Sequence, residues 1–375
     1  MYKNVVVTGA RGFVGRNLCE ALGRQEDVQV LGFDVQDDPA LLDDYLKIAD
    51  FIYHLAGVNR PERLEEFTEG NASLTARLTG RLKELGRAVP LAISSSTQAA
   101  LDNPYGVSKR AAEEAVTAYG RESGAPVYVY RLTNVFGKWC RPNYNSAVAT
   151  FCHNIARDLP VTISDPAREV ELVYIDDVVS EFIGLLSGNP AAPDEFLAVS
   201  PTYQVTLGRL VDLIRSFRAI RDTLVIPDMA DEFTRKLYAT YLAAMERDSF
   251  SYKLDVKTDN RGWLAELLKS PHIGQMFVSK THAGITRGNH YHHTKVEKFC
   301  VLQGEAVIRF RHIEEESVFE YRVSGDRCEV VDIPPGYTHS IENLSDKEMI
   351  VLFWASEVFN PEKPDTVFES VNKKI

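Results

Sequence analysis

Several things are missing from this sequence, and each absence narrows what the chain is. No window approaches ~18 uninterrupted apolar residues, so no membrane-spanning helix is expected. The start, Met1-Tyr2-Lys3-Asn4-Val5, has no basic stretch followed by an apolar one, so no signal peptide is expected. No C-x-x-C pair occurs, and the five cysteines (Cys19, Cys140, Cys152, Cys300, Cys328) are scattered and odd in number. Reduced thiols in the cytoplasm fit that pattern better than a disulfide framework. Basic charge is not in excess: the net charge is −11, which argues against a nucleic-acid partner. There is no internal repeat and no low-complexity tract.

What is present is an ordinary globular composition, 45% hydrophobic and 25% charged, in 375 residues. That length exceeds one usual hydrophobic core, so two domains are expected. Residues 1–245 alternate short apolar runs with helix-like segments, beginning with Val5-Val6-Val7. Such alternation predicts a Rossmann-like α/β fold, a doubly wound sheet of parallel strands joined by helical crossovers. Residues 246–252 read as a polar linker. From 253 to 375 the segments are short, β-rich and regularly spaced, which predicts an all-β barrel or jelly roll.

The first domain carries a nucleotide signature. Gly9, Gly12 and Gly15 form G-x-x-G-x-x-G between a strand and a helix, where backbone approaches a pyrophosphate at a helix N-terminus. Asp34 closes the next strand, where an acid binds an adenosine ribose. Its charge repels a 2′-phosphate and favours NADH, whereas Arg11 attracts one. Tyr105-Gly106-Val107-Ser108-Lys109 places tyrosine and lysine on one helix face. A lysine ammonium there favours the phenolate, which makes Tyr105 a proton donor to a carbonyl under reduction, with Lys109 also holding the ribose. Ser94-Ser95-Ser96 follows a strand and supplies a carbonyl-orienting hydroxyl. Each motif also has a bland reading, as a glycine-rich turn, a surface helix or a serine loop.

The second domain carries G-x5-H-x-H-x4-E-x6-G from Gly284 to Gly304, then P-x-G-x2-H-x3-N from Pro334 to Asn343. His290 and His292 alternate, so on a strand they share a face, while His293 faces away. With Glu297 and His339 from neighbouring strands they suit one divalent ion, zinc first. The alternative is a metal-free set of polar barrel residues.

Residues 1–245 resemble the extended short-chain dehydrogenase/reductase family. His54-Leu55-Ala56-Gly57 looks like its cofactor-side strand end, which implies cofactor contacts at Leu55 and Ala56. Arg131-Leu132-Thr133-Asn134-Val135-Phe136-Gly137 resembles its nucleotide-sugar segment, which implies substrate contacts at Arg131 and Asn134. Asn71 sits at a structural asparagine position, and Val173 to Val178 resembles a later family segment. Ser96 best matches the catalytic hydroxyl. Sugar 4,6-dehydratases of the family have Asp-Glu after that hydroxyl. Here the pair is Thr97-Gln98, which leaves reduction or epimerisation rather than elimination of water.

Residues 253–375 resemble cupins, with Cys328 standing where a glycine is expected six positions before Pro334. The departure is expected to alter a turn and spare the metal site. The pairing as a whole resembles the bifunctional CapF family of capsular and O-antigen polysaccharide biosynthesis. The stretches that carry this include Ala56-Gly57-Val58-Asn59-Arg60-Pro61, Phe136 to Cys140, Arg141 to Ser146, Gly288 to Lys295 and Gly336 to His339.

That resemblance implies a cytoplasmic enzyme on a UDP-sugar, with NADPH as cofactor, NADH also possible, and Zn²⁺ in the cupin. The cupin epimerises C3 of a UDP-2-acetamido-4-keto-2,6-dideoxyhexose. The reductase then reduces the C4 ketone to a UDP-2-acetamido-2,6-dideoxy-L-talose, on the way to UDP-N-acetyl-L-fucosamine. His282, Tyr291, Lys298 and Tyr337 are cupin acid/base candidates by residue type alone. A homodimer is the expected assembly. Two other readings stand beside this one: a single-activity nucleotide-sugar reductase or 4-epimerase with a structural cupin, and a sugar-nucleotide sensor without activity.

Overall fold

The computed structural model describes residues 3–187 and 196–372. The chain forms two compact units, Met1–Arg215 with Arg235–Glu246, and Ser216–Thr234 with Arg247–Ile375. The segment 216–234, expected in the first domain, therefore belongs to the second. There Leu224 O accepts from Lys269 N at 2.7 Å and Ile226 N donates to Lys269 O at 2.9 Å, so backbone pairing ties it to a strand of that unit.

The first unit is built on β1 (Lys3–Thr8), β2 (Val28–Phe33), β3 (Phe51–His54), β4 (Leu91–Ser96), β5 (Val127–Leu132), β6 (Asn134–Phe136), β7 (Glu169–Tyr174), β8 (Phe196–Leu197) and β9 (Thr202–Thr206). Six of these form a sheet in the order β2-β1-β3-β4-β5-β8, all parallel. Parallel strands covered on both faces read as unbroken apolar runs. Accordingly Val6, Ile52 and Ile93 pack in one buried cluster, and Val5, Val7 and Tyr53 in another. A three-stranded sheet, β6-β7-β9, lies beyond.

Two helices position the site. Phe13–Leu22 starts directly after the glycine turn, with Gly12 as its N-cap. Pro104–Ser123 is capped by Asn103, whose side chain accepts from Gly106 N at 2.8 Å, and it has proline in its first turn. That cap fixes where the helix begins, and so which turn carries Tyr105.

The second unit holds β10 (Val256–Asp259), β11 (Gly262–Ser270), β12 (Gly274–Thr281), β13 (Thr286–Tyr291), β14 (Glu297–Gln303), β15 (Glu305–His312), β16 (Val318–Ser324), β17 (Val330–Ile333), β18 (Tyr337–Asn343), β19 (Met349–Ala355) and β20 (Val367–Phe368). They make two antiparallel sheets, β10-β11-β12-β19-β14-β17 and β16-β15-β18-β13-β20. This is the expected jelly-roll layout of a cupin. Alternate residues turn inward, as along Met349–Ala355, and Phe299, Val301, Ile308, Phe310, Ile341, Val351 and Phe353 form the core. Cys328, standing where the cupin pattern expects glycine, has φ +47. The turn thus keeps the left-handed backbone that glycine adopts without cost.

Candidate functional site

A cleft of about 710 Å³ lies at the C-terminal ends of the first unit's parallel strands, lined among others by Gly9, Asp34, Leu55, Ser96, Tyr105 and Lys109. This is where doubly wound sheets bind ligands. The glycine turn is closed against itself. A Cβ on Gly15 would stand 2.0 Å from Gly9 O, and one on Gly9 would stand 2.7 Å from Ala56 N. A larger residue at either place would force the turn's own backbone apart, and with it the surface that a pyrophosphate approaches. Leu55 lines the cleft, while Ala56 packs its backbone against Gly9.

At the ribose end the charges are already engaged with one another. Asp34 accepts from Arg11 N at 2.7 Å and from Val35 N at 2.8 Å. The Arg11 guanidinium holds Asp37 through two bonds, of 2.7 and 3.1 Å, and Asp37 also accepts from Asp34 N at 2.8 Å. Arg11 pulls the Asp37 carboxyl below its usual range. The arginine faces the cleft but is tied down by an aspartate that the motif gave no reason to notice.

Ser96, Tyr105 and Lys109 come together in the cleft, from the end of β4 and the first turns of helix 104–123. The Tyr105 hydroxyl donates to Asn59 Oδ1 at 2.9 Å. Its ring packs on Phe67 with centroids 5.5 Å apart. Lys109 Nζ stands 5.9 Å from the Tyr105 ring centre and donates to Ser94 O at 3.1 Å. Burial pushes the Tyr105 phenol up, with Ser96 pulling it partly back. That is the reverse of the expected lowering, because burial outweighs the Ser96 hydrogen bond. Burial also brings Lys109 down to about 8, against the upward pull of Glu113. Asn71 holds the loop that carries Asn59. Its amide accepts from Val58 N and donates to Val58 O, both at 3.0 Å.

The two expected sugar-side residues separate. Asn134 lines the cleft and donates to Glu171 O at 3.0 Å. Arg131 does not line it. Its guanidinium grips the buried Glu113 through bonds of 2.9 and 2.7 Å and lies 3.5 Å from the Phe196 ring centre. A charge satisfied this fully is a structural brace between helix 104–123 and β5. The cleft wall instead gains Trp139, Arg141 and Tyr144.

In the second unit His290, His292, Glu297 and His339 converge, with their ligand atoms all within 4.8 Å of one another. His290 and His339 are register partners across β13 and β18. A bulge between Gly288 and His290, with Asn289 at φ +60, turns His290 to that position. Gly288 is required there, since a Cβ would meet His339 O at 2.7 Å. Glu297 comes from the facing sheet rather than from a strand beside the histidines. The site therefore bridges the two layers.

The donors fit a metal. Glu297 Oε2 stands 3.2 Å from His292 Nε2 and 3.5 Å from His339 Nε2. Two ligands of one tetrahedral zinc at ordinary bond lengths are about 3.3 Å apart. His292 Nδ1 donates to Asp365 O, and His339 Nδ1 lies 3.3 Å from Tyr337 O. A carbonyl only accepts, so those nitrogens carry the protons and each Nε2 presents a lone pair. Both Nε2 atoms are buried without a hydrogen-bond partner. Orphaned lone pairs beside a carboxylate call for a cation. Burial brings His290 down to about 4, which keeps it neutral and able to ligate.

Asp365 has no sequence signal. Its carboxylate accepts from His293 N, Thr294 N and Lys295 N at 2.9, 2.8 and 2.8 Å, and from Thr294 Oγ1 at 3.0 Å. Lys295, buried, lies 3.8 Å from Glu297 Oε1. Among the acid/base candidates, Lys298 alternates outward and pairs with Asp332, and His282 pairs with Glu348 at 3.5 Å. Tyr291 packs on the exposed His293 with ring centres 5.2 Å apart. Tyr337 packs on His312 at 5.0 Å.

A dinucleotide fold with a Ser-Tyr-Lys cleft, joined to a cupin with a three-histidine, one-carboxylate pocket, defines a class of two-part nucleotide-sugar enzymes. Residues 5–195 match the NAD dependent epimerase/dehydratase family, and residues 257–367 match the polysaccharide biosynthesis C-terminal domain. The chain belongs to that family and, within it, to the CapF-like proteins. It is 47% identical over 369 residues to a UDP-2-acetamido-2,6-beta-L-arabino-hexul-4-ose reductase from Pseudomonas aeruginosa, covering 98% of this chain and 99% of the relative. The crystal structure of the capsular polysaccharide assembling protein CapF from Staphylococcus aureus superposes with TM-score 0.92 at 45% identity, covering 98% of this chain and 100% of that one. A UDP-glucuronic acid 4-epimerase from Bacillus cereus in complex with NAD shares the fold over 64% of this chain and 96% of its own, with TM-score 0.55 at 19% identity. No helix among the described residues is long and apolar enough to cross a membrane.

Proposed function

We propose that the chain is a bifunctional nucleotide-sugar enzyme. Its cupin epimerises C3 of a UDP-2-acetamido-4-keto-2,6-dideoxyhexose. Its first domain then reduces the C4 ketone to a UDP-2-acetamido-2,6-dideoxy-L-talose, on the way to UDP-N-acetyl-L-fucosamine. The observation that carries this reading is end-to-end similarity to a reductase of a UDP-2-acetamido-hexul-4-ose, in a chain that holds a Ser96-Tyr105-Lys109 cleft and a separate ligand cluster.

The order follows from the chemistry. A C3 proton is acidic only while C4 is a carbonyl that can hold the enolate charge. Reduction removes the carbonyl and traps the new configuration. In the cupin, His290, His292, Glu297 and His339 would hold zinc, which supplies Lewis-acid stabilisation of an enolate or fixes the barrel. In the reductase, the cleft would hold a reduced nicotinamide cofactor, which would supply the hydride for the C4 carbon. Ser96 orients the ketone, Tyr105 gives the proton to its oxygen, and Lys109 holds the ribose. Asn134 and the Trp139–Tyr144 wall contact the nucleotide sugar. The cofactor is NADPH, with NADH also accepted, and Arg11 is the residue that would meet the 2′-phosphate.

The test is incubation with the UDP-4-keto sugar in deuterated water, with and without reduced cofactor. Deuterium at C3 without cofactor, and a C4 alcohol with it, are expected. Reduction with no C3 exchange under any condition would leave a single-activity reductase.

A further inference from the structure

The hydrogen bond from Tyr105 to Asn59 has no place in the motif chemistry, and its polarity is informative. Donation from the phenol to an amide oxygen at 2.9 Å is possible only while Tyr105 is protonated. A phenolate in the same place would face the negative end of the amide dipole. Ketone reduction needs the protonated phenol, whereas alcohol oxidation needs the phenolate. We infer that Asn59 is a positioning residue that holds Tyr105 in the protonated form from which the phenol gives its proton to the ketone. The inference rests on the reading of Tyr105 as the proton donor.

The surroundings of the phenol agree. Asn59 lines the cleft, on the 55–59 loop that Asn71 braces. From β4 comes the Ser96 hydroxyl, which favours the phenolate; from the 137–146 segment comes Tyr144, which opposes it. Arg141 lies 5.3 Å from the Tyr144 ring centre. From the tyrosine's own helix comes Lys109, which donates to Ser94 O at 3.1 Å and stands 5.9 Å from the tyrosine ring centre. Phe67 adds only apolar cover. The serine thus favours the phenolate, and Asn59 is the group that accepts the phenolic hydrogen bond. In the reaction the C4 carbon gains a hydride from the reduced nicotinamide as the carbonyl π bond breaks. The ketone oxygen takes the Tyr105 proton, and the phenolate regains a proton from solvent. Asn59 then receives the restored O–H.

The measurement is tyrosinate absorbance at 295 nm during pH titration. Subtracting the Tyr105→Phe titration made in the same background isolates Tyr105 from the other 15 tyrosines of the 16 in the chain. Asn59→Ala removes the acceptor and is expected to lower the Tyr105 midpoint by about one pH unit. Asn59→Asp places a carboxylate there and is expected to raise it. In parallel, the fall of the ketone-reduction rate at high pH, where the phenol loses its proton, is expected to move down by about the same unit in Asn59→Ala. An unmoved or raised midpoint in a folded Asn59→Ala protein overturns the inference, the latter because it would mean the amide N–H faces the phenol. Near-normal reduction by Tyr105→Phe alone would instead overturn the assignment of Tyr105 as donor.

Discussion

His292 donates its Nδ1–H to the backbone carbonyl of Asp365, a residue 73 positions away. The bond chooses the imidazole tautomer and leaves Nε2 as a lone pair aimed at Glu297. The same aspartate gathers the three backbone N–H groups of 293–295. Nearby, β20 pairs with β13, and the buried Arg311 donates to Val371 O and Ser370 O. The C-terminal segment is thus part of the frame of the proposed metal site, although it supplies no ligand.

Asp365→Ala keeps the carbonyl that holds His292 but removes the carboxylate that gathers 293–295, and by releasing that loop is expected to weaken zinc binding about 10-fold. A chromophoric chelator competition measures it. Unchanged affinity in the folded variant would reduce Asp365 to a loop cap.

Tyr105→Phe is expected to lose ~10²-fold or more in ketone reduction while still exchanging the C3 proton with deuterated solvent. His290→Ala, if folded, is expected to lose the exchange. Proton exchange followed by NMR, beside cofactor oxidation, separates the two. The opposite pattern would make the cupin a structural module.

Asp37→Asn is expected to free the Arg11 guanidinium and raise kcat/KM for NADPH relative to NADH by about tenfold. Loss of one charge-assisted pair is worth that order of magnitude. An unchanged ratio would mean that Asp34, whose carboxylate already holds the Arg11 backbone, controls the choice alone.

Lys109 is buried and comes down to about 8 from 10.5. Its ammonium is therefore disfavoured in the folded protein, and the unfolded chain binds more protons between those two values. The burial penalty is present in full below pH 8 and fades as pH rises toward 10.5. Lys109→Met, lacking that penalty, should be most favourable relative to wild type at pH 7, with the difference shrinking by pH 10. Urea unfolding of the unliganded proteins at the two pH values checks this. Cofactor affinity in the wild type should fall as pH rises through 8.

Much of this protein was legible in one dimension. Val5-Val6-Val7 could only be a strand covered on both faces, and a glycine turn followed by a helix start is a local event. Tyr105 and Lys109 share a face because helix geometry puts them there. His290 and His292 lie on one side because strand geometry does. Such features depend on periodicity and local backbone, which a sequence carries in full. Tertiary structure alone decided which charges cancel. Arg131 looked like a ligand for substrate until Glu113, brought to it from another element, neutralised it. Arg11 looked free until Asp37 took its guanidinium. Glu297 faces the histidines from the opposite sheet, and Asp365 reaches His292 across 73 positions. A pairing between distant segments has no period, and the free energy that selects it arises only when both groups leave water together.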